Sequence, residues 1–227
     1  MTIARVGRRE AITTMGAAGA ALAFGCTDSP TDPGDTTSVA GNNAACAITP
    51  TETEGPFPSL TSLFRSDIRE GKPGTTLALT IKVVNVNSSC AGVANANVEV
   101  WHVDAAGNYS EYGSQNGQTY LRGIQTTNAG GEATFTTIYP GWYAGRATHI
   151  HLEVTVNGRS VKVTQIAFPD TVNATVHASG VYASRGTNPI SNAADGILSD
   201  SLSAELVTPS GSTSGGYGVT FQVGIAV

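Results

Sequence analysis

Helical periodicity is nearly missing from this 227-residue chain. Beyond residue 46 only a weak stretch at residues 60–68 hints at a helix, which argues against a helical bundle or an alternating α/β fold. No cluster of Lys and Arg interleaves with aromatic residues, and the formal charge is -5, so a nucleic-acid surface is not expected. The longest uncharged N-terminal stretch, residues 11–25, is shorter than the ~20 apolar residues that a membrane-spanning helix needs. Cysteine is scarce as well, with three in all. No internal repeat is visible.

What the chain does have is turn chemistry and short alternating segments. Gly (27) and Pro (10) are frequent, and the hydrophobic fraction of 40% is enough for one core. Residues 77–86 place Leu77, Leu79, Ile81 and Val83 on one face. Further strands are predicted at 98–103, 132–138, 149–156 and 159–168, and a last one carries Phe221, Val223, Ile225 and Val227 on one face. Asn157-Gly158 between two of them is a strong hairpin signal, because both turn positions need positive φ. The expected fold class is all-β, a sandwich of short, mostly antiparallel strands with long loops.

The ends of the chain suggest an itinerary. Arg8-Arg9 precede the Ala- and Gly-rich stretch that runs to Cys26, the pattern of a twin-arginine-like secretory signal (residues 1–26) closed by a lipobox-like Leu22-Ala-Phe-Gly-Cys26. Residues 27–45 are polar and broken by Pro and Gly, which reads as a flexible linker to a domain spanning 46–227. Contact with a membrane is expected only through a lipid on Cys26, and otherwise a secreted protein. Export would allow Cys46 and Cys90 to pair, tying the start of the domain to a loop between strands; two free buried thiols are the lesser alternative.

The chemistry begins at Thr148-His149-Ile150-His151-Leu152. On a strand His149 and His151 project to one side while Ile150 and Leu152 enter the other, a geometry suited to a metal. No carboxylate is placed to complete a two-His, one-carboxylate triad; Glu153 shares the face but lies further along. Tyrosines gather instead: Tyr143 precedes the histidines and Tyr109 ends a Gly-Asn-Tyr turn. A phenol ligates as phenolate, so a hard, highly charged cation such as Fe(III) must pull its pKa below the ordinary value of about 10. Two other readings stay open at this level: a non-catalytic cell-surface β-sandwich binding module, and a zinc hydrolase built on the two histidines. His102 and His177 suggest no role.

Five segments in order resemble the intradiol ring-cleavage dioxygenases, the family of protocatechuate 3,4-dioxygenase and catechol 1,2-dioxygenase. They are TPTETEGPFP (49–58), VEVWHVDAAGNYS (98–110), YLRGIQTTNAGGEATFTTIYPGWY (120–143), GRATHIHLEV (145–154) and VTQIAFP (163–169). The stretch around Tyr143 is most similar to the compact, secreted branch. The resemblance implies Fe(III) held by Tyr109, Tyr143, His149 and His151, with Tyr143 leaving the metal and taking a proton as the substrate chelates. It implies a stabilising role for Arg146, a place for Gln165 at the rear of the site, and a substrate mouth lined by Glu54, Gly55 and Pro56. The implied reaction cleaves a small aromatic diol with O₂, between its hydroxylated carbons, to a cis,cis-muconate-type product. Only Ala144 and Gly145 separate Tyr143 from Arg146, far fewer residues than in the best-studied members, and the helical dimerisation linker of catechol 1,2-dioxygenases has no counterpart. Substrate choice and oligomeric state are therefore left open.

Overall fold

The computed structural model describes residues 46–227. The expected signal segment 1–26, the linker 27–45 and Cys26 lie outside the described residues. Nine strands and two α-helices follow: β1 (Thr76–Asn85), β2 (Ala91–Gly92), β3 (Asn97–Trp101), β4 (Arg122–Thr126), β5 (Glu132–Ile138), β6 (His149–Val156), β7 (Arg159–Ala167), α1 (Asp170–His177), α2 (Leu202–Glu205), β8 (Ser210–Ser212) and β9 (Gly216–Ile225). Among the described residues no helix is long and apolar enough to cross a membrane.

The strands form two sheets. In one, β1 is central: it pairs antiparallel with β5 and β2 and parallel with β9, which carries β8 on its far side. In the other, the order is β4-β3-β6-β7, all antiparallel. The period-two pattern of the sequence drives this arrangement. Leu77, Leu79, Ile81 and Val83 from β1 and Val219, Phe221 and Val223 from β9 share a single buried core with Val98 and Val100 of β3 and Ile150, Leu152 and Val154 of β6. Each such side chain removed from water contributes about 1.5–3 kcal/mol, so a one-residue slip of register would be heavily penalised.

Asn157 and Gly158 have φ of 51° and 74°, as the hairpin between β6 and β7 requires. Cys46 and Cys90 are disulfide-bonded with their Cα atoms 5.6 Å apart, tying the start of the domain to the turn before β2.

The structure departs from the sequence reading in three places. Residues 60–68 form no helix. Their backbone is used by the sheets instead: Phe64 bridges Ile124, Asp67 bridges Thr136, and Arg65 N–H donates to Ile124 O. Helix α1 has little local signal, because DTVNATVH is rich in β-branched residues; in the fold it buries Asn173, Val176 and His177. The last strand stops at Ile225, and Val227 is 48% exposed rather than in the core.

Candidate metal centre

The site is built on the face of the four-stranded sheet that does not meet the other sheet. Arg122 opposes Trp101, Trp101 opposes His151 and His151 opposes Gln165, so four side chains form one row across β4, β3, β6 and β7. All four are buried. Because β6 alternates, Ile150 and Leu152 enter the core while His149 and His151 point to this outer face, where loops cover them.

Three atoms converge there. His149 Nε2 lies 3.1 Å from His151 Nε2, and Tyr109 Oη lies 3.5 Å from the first and 3.2 Å from the second. His149 Nδ1 donates to Ala147 O at 2.7 Å, which leaves the lone pair of Nε2 facing the centre. His151 Nδ1 is buried without a hydrogen-bond partner. The ring of His151 is clamped by Trp101, stacked at 4.9 Å and 3° from parallel.

Electrostatics keep these rings neutral. Burial, with the charge of Arg146 second, holds the His149 pKa down to about 4. Burial, then His149 and Arg146, pushes His151 well below the ordinary value. Burial, and next Tyr143, raises the Tyr109 phenol, while Arg146 and Arg122 oppose the rise. Without a cation the centre is thus two neutral imidazoles and a protonated phenol. A multiply charged ion can displace that phenol proton, and ligand atoms about 2 Å from one shared ion would show separations like these. Among the described residues no group of three His, Cys, Asp or Glu side chains could hold a metal, so a centre here depends on tyrosine. The donor set of nitrogen and phenolate oxygen fits a hard ferric ion.

Tyr109 reaches the centre from the turn after β3, where Asp104 Oδ1 accepts from the backbone N–H groups of Ala106 and Asn108. Tyr143 stands beside it, edge to face, with ring centroids 5.9 Å apart, and its contacts with the cluster are ring contacts. Phe57 stacks on Tyr109 at 4.8 Å and meets Tyr143 edge-on. Phe57, Tyr109, Tyr112 and Tyr143, with Asn108 and Gln115, border a cavity of about 210 Å³. A larger groove of about 420 Å³ near Tyr182 shares no residue with this centre.

The substrate-mouth residues divide. Gly55, with φ 72°, is so close that a β-carbon there would sit 3.1 Å from His151 Cε1. Glu54 and Pro56 are exposed. Arg146 Nη2 donates to Gln165 Oε1 at 2.6 Å, and Gln165 Nε2 donates to Thr53 O at 2.9 Å. His102 and His177 take no part: His102 is hydrogen-bonded between Val103 O and Thr137 Oγ1, and His177 Nε2 lies 3.2 Å from Pro140 O.

Several members of the site escaped the sequence reading. Trp101 was placed only as a strand residue. Arg122 is fully buried, donates to Ser110 Oγ, Ser110 O and Phe57 O, and faces Glu111 at 3.3 Å, so it holds the wall around Tyr109. Asp195 is buried against Arg146 and Ala147. Period-two alternation could have put Trp101 on the histidine face; nothing local singles out Asp195.

A family model described as Dioxygenase matches residues 57–187, more than half of the chain. Among solved structures, an intradiol ring-cleavage dioxygenase from Tetranychus urticae is similar at 27% identity and TM-score 0.75, over 80% of this chain and 95% of that one. The dioxygenase domain of a dioxygenase and carbohydrate-binding protein fusion from Streptomyces sp. SirexAA-E matches at 27% identity and TM-score 0.61, over 80% and 99%. 3-Chlorocatechol 1,2-dioxygenase from Rhodococcus opacus 1CP shares the fold at 20% identity and TM-score 0.59, over 81% and 75%.

Proposed function

Because the chain belongs to the intradiol ring-cleavage dioxygenases, we propose that it is a non-haem Fe(III) enzyme that opens catechol-type rings between the two hydroxylated carbons. The observation that carries this reading is the convergence of His149 Nε2, His151 Nε2 and Tyr109 Oη, at 3.1–3.5 Å, beside an aromatic cavity sized for a single ring.

Tyr109, His149 and His151 would hold the ion, with Tyr143 as the fourth ligand from the cavity side. When bound, ferric iron supplies Lewis acidity that favours the catecholate form of the substrate and lends its ring the electron distribution that O₂ attacks. The chain supplies the rest. The neutral imidazoles keep their lone pairs available at any pH near 7. Tyr143, which lines the cavity, would accept a proton from the substrate diol. The guanidinium of Arg146, whose field already reaches Tyr109 and both histidines, stabilises negative charge on the bound ring. Gln165 orients that guanidinium from the strand opposite His151. Glu54, Gly55 and Pro56 form the mouth. The net reaction joins one diol and one O₂ into one cis,cis-muconate-type diacid, so no external reductant enters.

We place this activity outside the cytoplasm: exported under a twin-arginine-like signal, anchored through lipidated Cys26 and spaced from the membrane by residues 27–45. The Cys46–Cys90 disulfide supports an oxidising compartment.

The test is direct. Full-length protein loaded with Fe(III) is expected to absorb broadly in the visible through its tyrosinate ligands, to change colour with catechol under anaerobic conditions, and to consume O₂ with formation of a muconate. Protein that binds no iron and stays colourless would overturn the reading in favour of a binding module, and zinc-dependent hydrolysis in favour of a hydrolase. Oxygen uptake across catechol, protocatechuate and hydroxyquinol would identify the preferred ring.

A further inference from the structure

Asp195 lies beyond the segment matched by the family model and far along the chain from every residue of the centre. Its carboxylate is nevertheless fully buried behind Arg146. Oδ2 accepts from Arg146 Nε at 2.9 Å and from the backbone N–H of Ala147 at 2.6 Å. Oδ1 accepts from the N–H groups of Ile197 and Leu198, at 2.9 and 3.0 Å, which fixes the carboxylate on its own loop. Burial alone would raise its pKa, but the hydrogen bonds from Arg146, Leu198, Ala147 and Ile197 more than offset that and hold it below the usual range.

Two lines run from this one oxygen into the site. The first passes through Arg146 to Gln165 and on to Thr53 O, two residues before Gly55, where an added β-carbon would meet His151. The second passes through Ala147, whose carbonyl accepts His149 Nδ1–H and so keeps His149 Nε2 free to bind. The geometry points to Asp195 as the positioning residue of the centre: it orients the Arg146 guanidinium and, through Ala147, the imidazole of His149. This inference rests on the proposed ring-cleavage reading for its catalytic consequence, while the linkage itself does not.

Four variants test it: Asp195→Asn, Asp195→Glu, Arg146→Gln and Asp195→Asn combined with Arg146→Gln, each in the full-length chain. Asn is isosteric and still offers Oδ1 to the loop, but its amide cannot accept from Arg146 and Ala147. Losing an outer-shell partner typically costs 10–100-fold, so kcat for catechol is expected to fall by about that factor in Asp195→Asn. Added to Arg146→Gln, the same change is expected to cost several-fold less than it costs alone, because the part of its effect that runs through Arg146 is already lost and only the part through Ala147 remains. Asp195→Glu is expected to retain several-fold more activity than Asn, since it keeps the carboxylate. A purely structural role predicts the reverse order, because the longer side chain overpacks a buried site. Hydrogen exchange of the peptide spanning 145–151, measured without turnover, is expected to quicken about tenfold in Asp195→Asn. Unchanged exchange, multiplicative losses in the double variant, or a Glu variant below Asn would each overturn the proposal. An inactive wild type with the exchange effect intact would support the linkage and remove only the ring-cleavage reading.

Discussion

Trp101 lies flat on His151, ring centroids 4.9 Å apart and planes within 3°. The two residues are opposed on β3 and β6, so the stack is a direct consequence of strand register. It fixes the plane of one imidazole from one side, while Gly55 approaches it closely through the backbone. The ring is held in place by the fold alone, which would lower the entropic cost of ligating the proposed ion.

Replacing Tyr109 by Phe removes the phenolic member of the triangle and leaves the stacked ring in place. Iron content and the visible band are expected to fall together, and turnover by at least about 100-fold, given that even outer-shell changes cost 10–100-fold. Metal analysis beside the absorption spectrum checks this. A Tyr109→Phe protein with the wild-type spectrum would exclude Tyr109 as a ligand.

Gly55→Ala brings two difficulties at once. The residue sits at φ 72°, and the new methyl would lie 3.1 Å from His151 Cε1. A left-handed L-residue costs about 1–2 kcal/mol, so a lower melting temperature is expected, and displacement of residues 53–57 is expected to raise KM more than it lowers kcat. Thermal melts and steady-state kinetics on the same preparation separate the two effects.

The histidines set an acid limit. His149 and His102, with burial the leading cause for each, are both held near 4 in the folded chain, against about 6.5 when unfolded. Their folded pKa is depressed, so the unfolded state binds more protons between these values. Stability is therefore full above pH 6.5 and lost as pH falls towards 4, by about 1.4 kcal/mol per pH unit for each histidine within that window. Denaturant titrations of metal-free protein at pH 7.5 and pH 5 give the slope. Equal stabilities at the two values would contradict the assignment of these rings as buried and neutral.

The Cys46–Cys90 bridge closes a separation of 44 residues. Opening it by Cys46→Ser with Cys90→Ser, or by reductant, is expected to destabilise the domain by about 2–5 kcal/mol. The visible spectrum of iron-loaded protein below the melting transition should be preserved, because the bridge lies in a different part of the fold from the centre. Differential scanning calorimetry with and without reductant measures the first effect.

Much of this protein could be read from its residues in order. The alternation around Leu77–Val83 and Ile150–Val154 dictated a sandwich, because side chains two apart on a strand share a face and only one face can be buried in the core. The same rule put His149 and His151 together, and Asn157-Gly158 marked their hairpin through its need for positive φ. Where local pattern is weak, tertiary structure decided. Residues 60–68 gave up a helical bias because their amides and carbonyls found partners on the strands beside them. Tyr109, placed by a turn 40 residues upstream, meets the histidines only because β3 pairs with β6. Arg122, Trp101, His151 and Gln165 become one row only when four strands adopt a common register. Asp195 meets Arg146 across 49 residues, and no spacing rule connects them. Periodicity encodes which way a side chain faces relative to its own strand, whereas the partner it meets across the fold depends on how separate elements pack, and that information exists only in the assembled chain.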